Sequence, residues 1–140
     1  MVIDSYPFQR RVTELLLSGR NVILQAPTGA GKTTAALLPF QRAREQGLDF
    51  PRRCIYAVPM RVLANQFVAD YADVAPDIRI QTSEHPDDRC FEADITFATI
   101  DQVLSSFLLS PYSLSRAQAN LNLGAIAASY LVFDEFHLFD

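Results

Sequence analysis

Short unbroken apolar runs alternate along this chain with longer stretches in which apolar residues recur every three or four positions. The runs suit strands buried on both faces, and the stretches suit amphipathic helices. Strands are predicted at 21–26, Cys54–Val58, 78–82, Ile95–Thr99 and 130–134. The first helix opens at Pro7, carries Phe8, Val12, Leu15 and Leu16, and meets Gly19 at its end. A second runs from Gly31 to about Gln46 and stops at Gly47, and a third covers 61–71. Two more, at about 101–109 and 113–123, are separated by Pro111, and a polar, proline-containing loop fills 83–94. Strand–helix alternation of this kind predicts an α/β fold, a parallel sheet flanked by helices on both faces. Such sheets take ligands beyond the carboxyl ends of their strands. The chain of 140 residues has room for one domain or part of one, and it shows no repeat, low-complexity tract or internal boundary.

Composition narrows the class. Hydrophobic residues make up 49% and charged residues 20%, the balance of a globular protein and not of a disordered one. The richest apolar stretch, 125–133, falls well short of the ~18 residues that cross a bilayer and contains Ser129. The start of the chain carries Asp4 and lacks the basic-then-apolar pattern of a secretory signal. A soluble cytoplasmic protein with no membrane partner is expected. Cys54 and Cys90 lack C-x-x-C spacing and a neighbouring ligand set, so they are read as inert thiols.

The net charge of −4 is unevenly spread: residues 1–66 hold nine bases and four acids, and the remainder three bases and twelve acids. That balance excludes a non-specific nucleic-acid coat, while leaving room for a local groove with a few directed contacts. The pairs Arg10–Arg11 and Arg52–Arg53 read as solvated surface, and His85 as a solvated loop residue.

Two segments carry the chemistry. Residues 26–33, A-P-T-G-A-G-K-T, join a predicted strand directly to a predicted helix. Gly29 and Gly31 permit the positive φ angles that turn backbone amides inward around an anion, and the helix N-terminus adds partial positive charge. Lys32, the only lysine in the chain, can reach the outer phosphates of a nucleotide, and the Thr33 hydroxyl can ligate Mg²⁺. The second segment, Asp134-Glu135-Phe136-His137, ends an apolar strand. Asp134 is a hard oxygen ligand suited to Mg²⁺. Glu135 can orient and deprotonate an attacking water, a role typically worth ~10²–10⁴-fold.

With these two segments, the sequence resembles the superfamily 2 helicases and translocases of the DExH class. A-x-T-G-x-G-K-T looks like their motif I, and D-E-F-H like their motif II. Residues 59–66, P-M-R-V-L-A-N-Q, look like motif Ia, with Met60 where the family has threonine, and Thr99-Ile100-Asp101-Gln102 lies where motif Ib falls. The pairing of T-I-D-Q with D-E-F-H is most similar to the CRISPR-associated type I interference helicases. The resemblance implies the RecA-like P-loop NTPase fold, with 1–140 as the N-terminal part of the first ATP-binding lobe. It implies ATP and Mg²⁺ as cofactors. ATP would be held by Gln9, which reads adenine, and by Thr28, Gly29, Ala30, Gly31, Lys32, Thr33 and Thr34. Thr33 and Asp134 would hold the metal, and Lys32 and Glu135 would act in catalysis. Pro59, Arg61, Thr99, Asp101 and Gln102 would meet the backbone of a nucleic-acid strand, and His137 would couple the nucleotide site to a partner lobe.

The function so implied is an ATP-dependent motor on single-stranded DNA in type I CRISPR interference, with a crRNA-guided surveillance complex and a separate nuclease as partners. A nuclease domain is not expected before Gln9, so it would be a separate polypeptide or lie downstream. Two alternatives stay open: another DExH motor, such as an RNA helicase or restriction translocase, and a nucleotide-binding module without turnover. In the family's pattern motif III and a second lobe with arginine fingers follow motif II, so the 140 residues by themselves are expected neither to unwind nucleic acid nor to hydrolyse ATP at a motor's rate.

Overall fold

The computed structural model describes residues 6–59, 61–112 and 114–135. They fall into two compact units, one ending at Phe50 and the other beginning at Pro51. The first holds α1 (Pro7–Leu17) and α2 (Lys32–Gln46). Both helices end where a glycine takes the left-handed conformation, Gly19 at φ +79° and Gly47 at φ +63°. In each, the following amide reaches back five residues, Arg20 to the Leu15 carbonyl and Leu48 to the Ala43 carbonyl. This is the closure that a glycine just past a helix makes possible.

The second unit is the parallel sheet expected from the strand–helix alternation. Its strands are β1 (Cys54–Val58), β2 (Ile78–Gln81), β3 (Ile95–Thr99) and β4 (Tyr130–Phe133), in the order β2-β3-β1-β4 and all parallel. Helix α3 (Arg61–Asp70) connects β1 to β2, and α4 (Ile100–Phe107) and α5 (Ala119–Ala127) connect β3 to β4. The two crossovers run in opposite directions along the sheet, so right-handed connection places α3 on one face and α4–α5 on the other. Side chains bear this out. Tyr56 and its register partner Phe97 pack against Phe67 of α3, whereas Ile55, Ala57 and Ala98, one residue out of phase, pack with Val103 of α4 and Ile126 of α5. Every residue of β1 and β3 is buried, which is why β1 reads as an unbroken apolar run and β3 as one interrupted only by threonines.

Two elements depart from the sequence-based expectation. Among the described residues, 21–26 show no ladder pairing, although Val22, Leu24 and Ala26 are half-buried and Ile23 is fully exposed. The period of two is present, and a strand is defined by pairing rather than by period. The helix placed at 113–123 lies further on, as a 3₁₀ turn Arg116–Gln118 followed by α5, which runs through Gly124. Glycine inside a helix costs about 1 kcal/mol, and carrying Ile126 into the core outweighs it. Cys54 is fully buried, which pushes its thiol pKa far up, and neither cysteine is bridged.

Candidate functional site

The phosphate loop lies within the first unit. Gly29 and Gly31 both adopt left-handed angles, φ +78° and +88°, and the chain then enters α2 at Lys32. By construction the first-turn amides of a helix, here those of Lys32, Thr33 and Thr34, have no intrahelical acceptor. The Lys32 ammonium donates to the carbonyls of Ala26 at 3.0 Å and Pro27 at 3.3 Å. The loop's single cation is therefore folded over the loop rather than extended into solvent. Thr28 and Gly29 are exposed, and Ala30, Gly31, Thr33 and Thr34 are half-buried.

Gln9 is brought to this loop. It is 3% exposed, accepts the Tyr6 amide at 2.9 Å, and donates through Nε2 to the Gly31 carbonyl at 3.1 Å. A glutamine at the third position of α1 thus ties the start of that helix to the glycine that opens α2. The spacing of 22 residues between them carries no local signal of the contact.

The carboxylate pair lies in the second unit, at the carboxyl end of β4. The Asp134 amide continues the ladder by donating to the Ala57 carbonyl at 2.9 Å. Its two carboxylate oxygens are held separately: Oδ1 accepts the Glu135 amide at 2.9 Å, and Oδ2 accepts the Tyr56 hydroxyl at 3.1 Å. Glu135 has φ +49°, a left-handed angle that a non-glycine residue holds at a cost and that clusters at functional sites. His137 lies outside the described residues.

The residues expected to meet a nucleic-acid strand separate by burial. Thr99 closes β3 at 4% exposure, and Gln102 is 3% exposed and accepts the Gln81 amide nitrogen at 3.3 Å. Asp101 is exposed in the first turn of α4, where a negative charge suits the helix dipole. Pro59 is half-buried at the end of β1, and Arg61 opens α3. Asp101 and Gln102 line a groove of about 570 Å³ with Gln81, Thr82, Arg89 and Tyr112. It sits beyond the carboxyl ends of β2 and β3, where the topology predicts a ligand. Arg89 and the exposed Tyr112 were missed by sequence reasoning. Arg89 lies in a loop that reads as polar, and Tyr112 beside Pro111 in a linker.

Asp88, in the same loop, is 2% exposed and ties the loop to β3. Its carboxylate accepts the amides of Glu92 at 2.8 Å and Ala93 at 3.1 Å and the Thr96 hydroxyl, while its own amide donates to Gln81 at 3.2 Å. Among the described residues no group of three histidine, cysteine or acidic side chains is placed to hold a metal ion.

Comparison with known proteins shows the family of the chain. The family model described as DEAD/DEAH box helicase matches residues 6–140. The chain is 28% identical over 130 residues to the ATP-dependent RNA helicase DDX54 of Mus musculus, covering 92% of this chain and 15% of that protein. It is 29% identical over 129 residues to the DEAD-box ATP-dependent RNA helicase 57 of Oryza sativa subsp. japonica, covering 92% of this chain and 23% of that one. It is also 27% identical over 137 residues to the ATP-dependent DNA helicase Hel308 of Thermoplasma acidophilum, covering 94% and 18%. The chain thus spans less than a quarter of the length of these relatives. No solved structure matches it.

Proposed function

Because this chain belongs to the DEAD/DEAH box helicase family, we propose that it is the nucleotide-binding portion of an ATP-driven motor acting on single-stranded nucleic acid. The observation that carries the reading is the phosphate loop: two left-handed glycines leading into a helix N-terminus, with Lys32 folded over them. In this proposal the amides of 29–34 and the Lys32 ammonium bind the phosphates of ATP, and Gln9 meets the adenine. Asp134 and the Thr33 hydroxyl are the metal's protein ligands. The donor set suits Mg²⁺, a hard ion that takes one or two protein oxygens and fills the rest from phosphate and water. Each Asp134 oxygen accepts one hydrogen bond, and a carboxylate has about four acceptor sites, so capacity remains. Bound Mg²⁺ supplies neutralisation of the charge on the phosphate oxygens. Glu135 orients the attacking water and takes its proton. Strand contact falls to the groove, with Arg89 on phosphate, Tyr112 as a stacking face and Gln102 holding the floor.

The finer reading is a DNA motor of type I CRISPR interference in the cytoplasm, partnered by a crRNA-guided complex and a separate nuclease. What supports it is the pairing of Thr99-Ile100-Asp101-Gln102 with Asp134-Glu135-Phe136-His137. An RNA motor is the second reading, supported by the names of the mouse and rice relatives. No helix among the described residues is long and apolar enough to cross a membrane. ATP turnover of the full-length protein with single-stranded DNA or RNA of the same sequence separates the two. Stimulation by DNA is expected, and stimulation by RNA alone selects the second. Lys32→Ala should abolish turnover while leaving the circular dichroism spectrum unchanged, and wild-type turnover in that variant refutes the phosphate-loop assignment.

A further inference from the structure

Tyr56 is an odd residue for its place. It sits in the middle of β1, a strand buried along its whole length, and is itself 1% exposed. A buried phenol needs a hydrogen-bond partner, and phenylalanine would fill the same space without that requirement. The hydroxyl donates to Asp134 Oδ2 at 3.1 Å, across 78 residues of chain. Strand register explains the reach. Tyr56 lies opposite Val132, and Asp134 stands two residues further on, on the same face.

The ring is itself held by aromatic neighbours from two further elements. Phe67 of α3 meets it edge-on at 5.6 Å between centroids, and Phe97 of β3 lies at 5.4 Å. Phe67 also contacts Tyr71 at 5.9 Å. The hydroxyl therefore has little freedom, and the carboxylate it meets is pinned on its other oxygen by the Glu135 amide at 2.9 Å. Groups that hydrogen-bond a metal ligand fix its orientation, and their loss typically costs ~10–100-fold in metal affinity or activity.

We propose that Tyr56 is a positioning residue that sets the Asp134 carboxylate for the divalent cation accompanying the nucleotide. The proposal rests on the reading that Asp134 holds that cation. Asp134 is half-buried, so water can replace the lost donor and the fold has little reason to need this hydroxyl. A structural role and a positioning role consequently predict different outcomes for the same change.

The test is Tyr56→Phe in the full-length protein, read by Mn²⁺ binding in the presence of a non-hydrolysable ATP analogue, followed by electron paramagnetic resonance. The Mn²⁺ dissociation constant should rise about tenfold or more. Analogue binding in EDTA and the thermal midpoint should match wild type. In turnover assays the Mg²⁺ concentration for half-maximal rate should rise, with kcat restored at saturating Mg²⁺. Asp134→Asn is the reference. If it leaves Mn²⁺ binding unchanged, the underlying metal assignment fails and the proposal with it. If Asp134→Asn weakens Mn²⁺ binding and Tyr56→Phe does not, the assignment stands and the positioning role is refuted. A Tyr56→Phe effect matched by an equal loss of analogue binding in EDTA, or by a lower thermal midpoint, returns Tyr56 to a purely structural role. In the Asp134→Asn background Tyr56→Phe should add no further loss.

Discussion

Gly31 shows how much a single position asks of its residue. Its φ of +88° disfavours any L side chain, and an added Cβ would lie 2.7 Å from Gln9 Nε2. Gly29, at φ +78°, has nothing within 4 Å of the corresponding point. Each substitution to alanine should cost about 1–2 kcal/mol for the left-handed angle. Gly31→Ala should cost more than Gly29→Ala because Gln9 must also give up its bond to the loop. Denaturant midpoints of the two variants measure the difference, and equal values would show that the Gln9 contact contributes nothing. At Glu135 the substitution to test is Glu135→Gln, which keeps shape and hydrogen-bonding reach while removing basicity. In the full-length protein it should bind Mg·ATP and hydrolyse it ~10²-fold more slowly or worse if Glu135 is the base. An unchanged rate at saturating single-stranded nucleic acid assigns the base elsewhere. Lys32, Thr33, Asp134 and Glu135 stand out as candidates in the sequence because their residue types and short spacing make a local pattern. Tyr56 does not, because its significance depends on a strand pairing 78 residues away.

At the scale of elements, the loop joining β2 to β3 is ordered by one carboxylate. Asp88 accepts two amides and a hydroxyl at 2% exposure. Asp88→Ala leaves those donors without their acceptor, and a buried polar group left unsatisfied costs about 1–3 kcal/mol. The thermal midpoint should fall and the groove lined by Gln81 and Gln102 should loosen. An unchanged midpoint would mean that water replaces the carboxylate at no cost. From sequence this loop reads as acidic and solvated, since a buried aspartate looks like any other in a run containing Glu84, Asp87 and Glu92. Gln102 teaches the same lesson from the other side. Its place in a helicase-like motif suggests contact with a strand, and its burial against Gln81 makes it part of the groove's support. The displaced α5 follows from Gly124, which resembles a stop signal locally and is carried through by the packing of Ile126.

At the scale of the whole molecule, the chain carries the phosphate loop and the carboxylate pair but spans 15% to 23% of the relatives named above. Arginine fingers in phosphoryl-transfer enzymes are worth ~10³–10⁵ in rate, and the family's pattern places them in a second lobe. The 140 residues as a separate polypeptide should therefore bind nucleotide weakly and turn it over far below the ~10 per second of a typical enzyme. Turnover at that typical rate, stimulated by single-stranded nucleic acid, would show that catalysis needs no second lobe. The acidic second half also bears on binding. With three bases among residues 67–140, few phosphates can be neutralised, so the affinity of this portion for nucleic acid should fall only gently with salt.

What the sequence by itself determined was local: the phosphate loop, the carboxylate pair, the helices with their glycine stops, and the apolar strands β1, β3 and β4. Each is written in residue types a few positions apart, where backbone preference and side-chain period act directly. The tertiary structure decided everything that depends on pairing. It ordered the strands β2-β3-β1-β4 and, among the described residues, gave 21–26 no ladder despite its strand-like period. It turned Gln9 onto Gly31, buried Asp88 and Gln102, and set Tyr56 against Asp134. Hydrogen-bond partners far apart in the chain leave no periodic mark on it, because only the folded backbone brings them within reach.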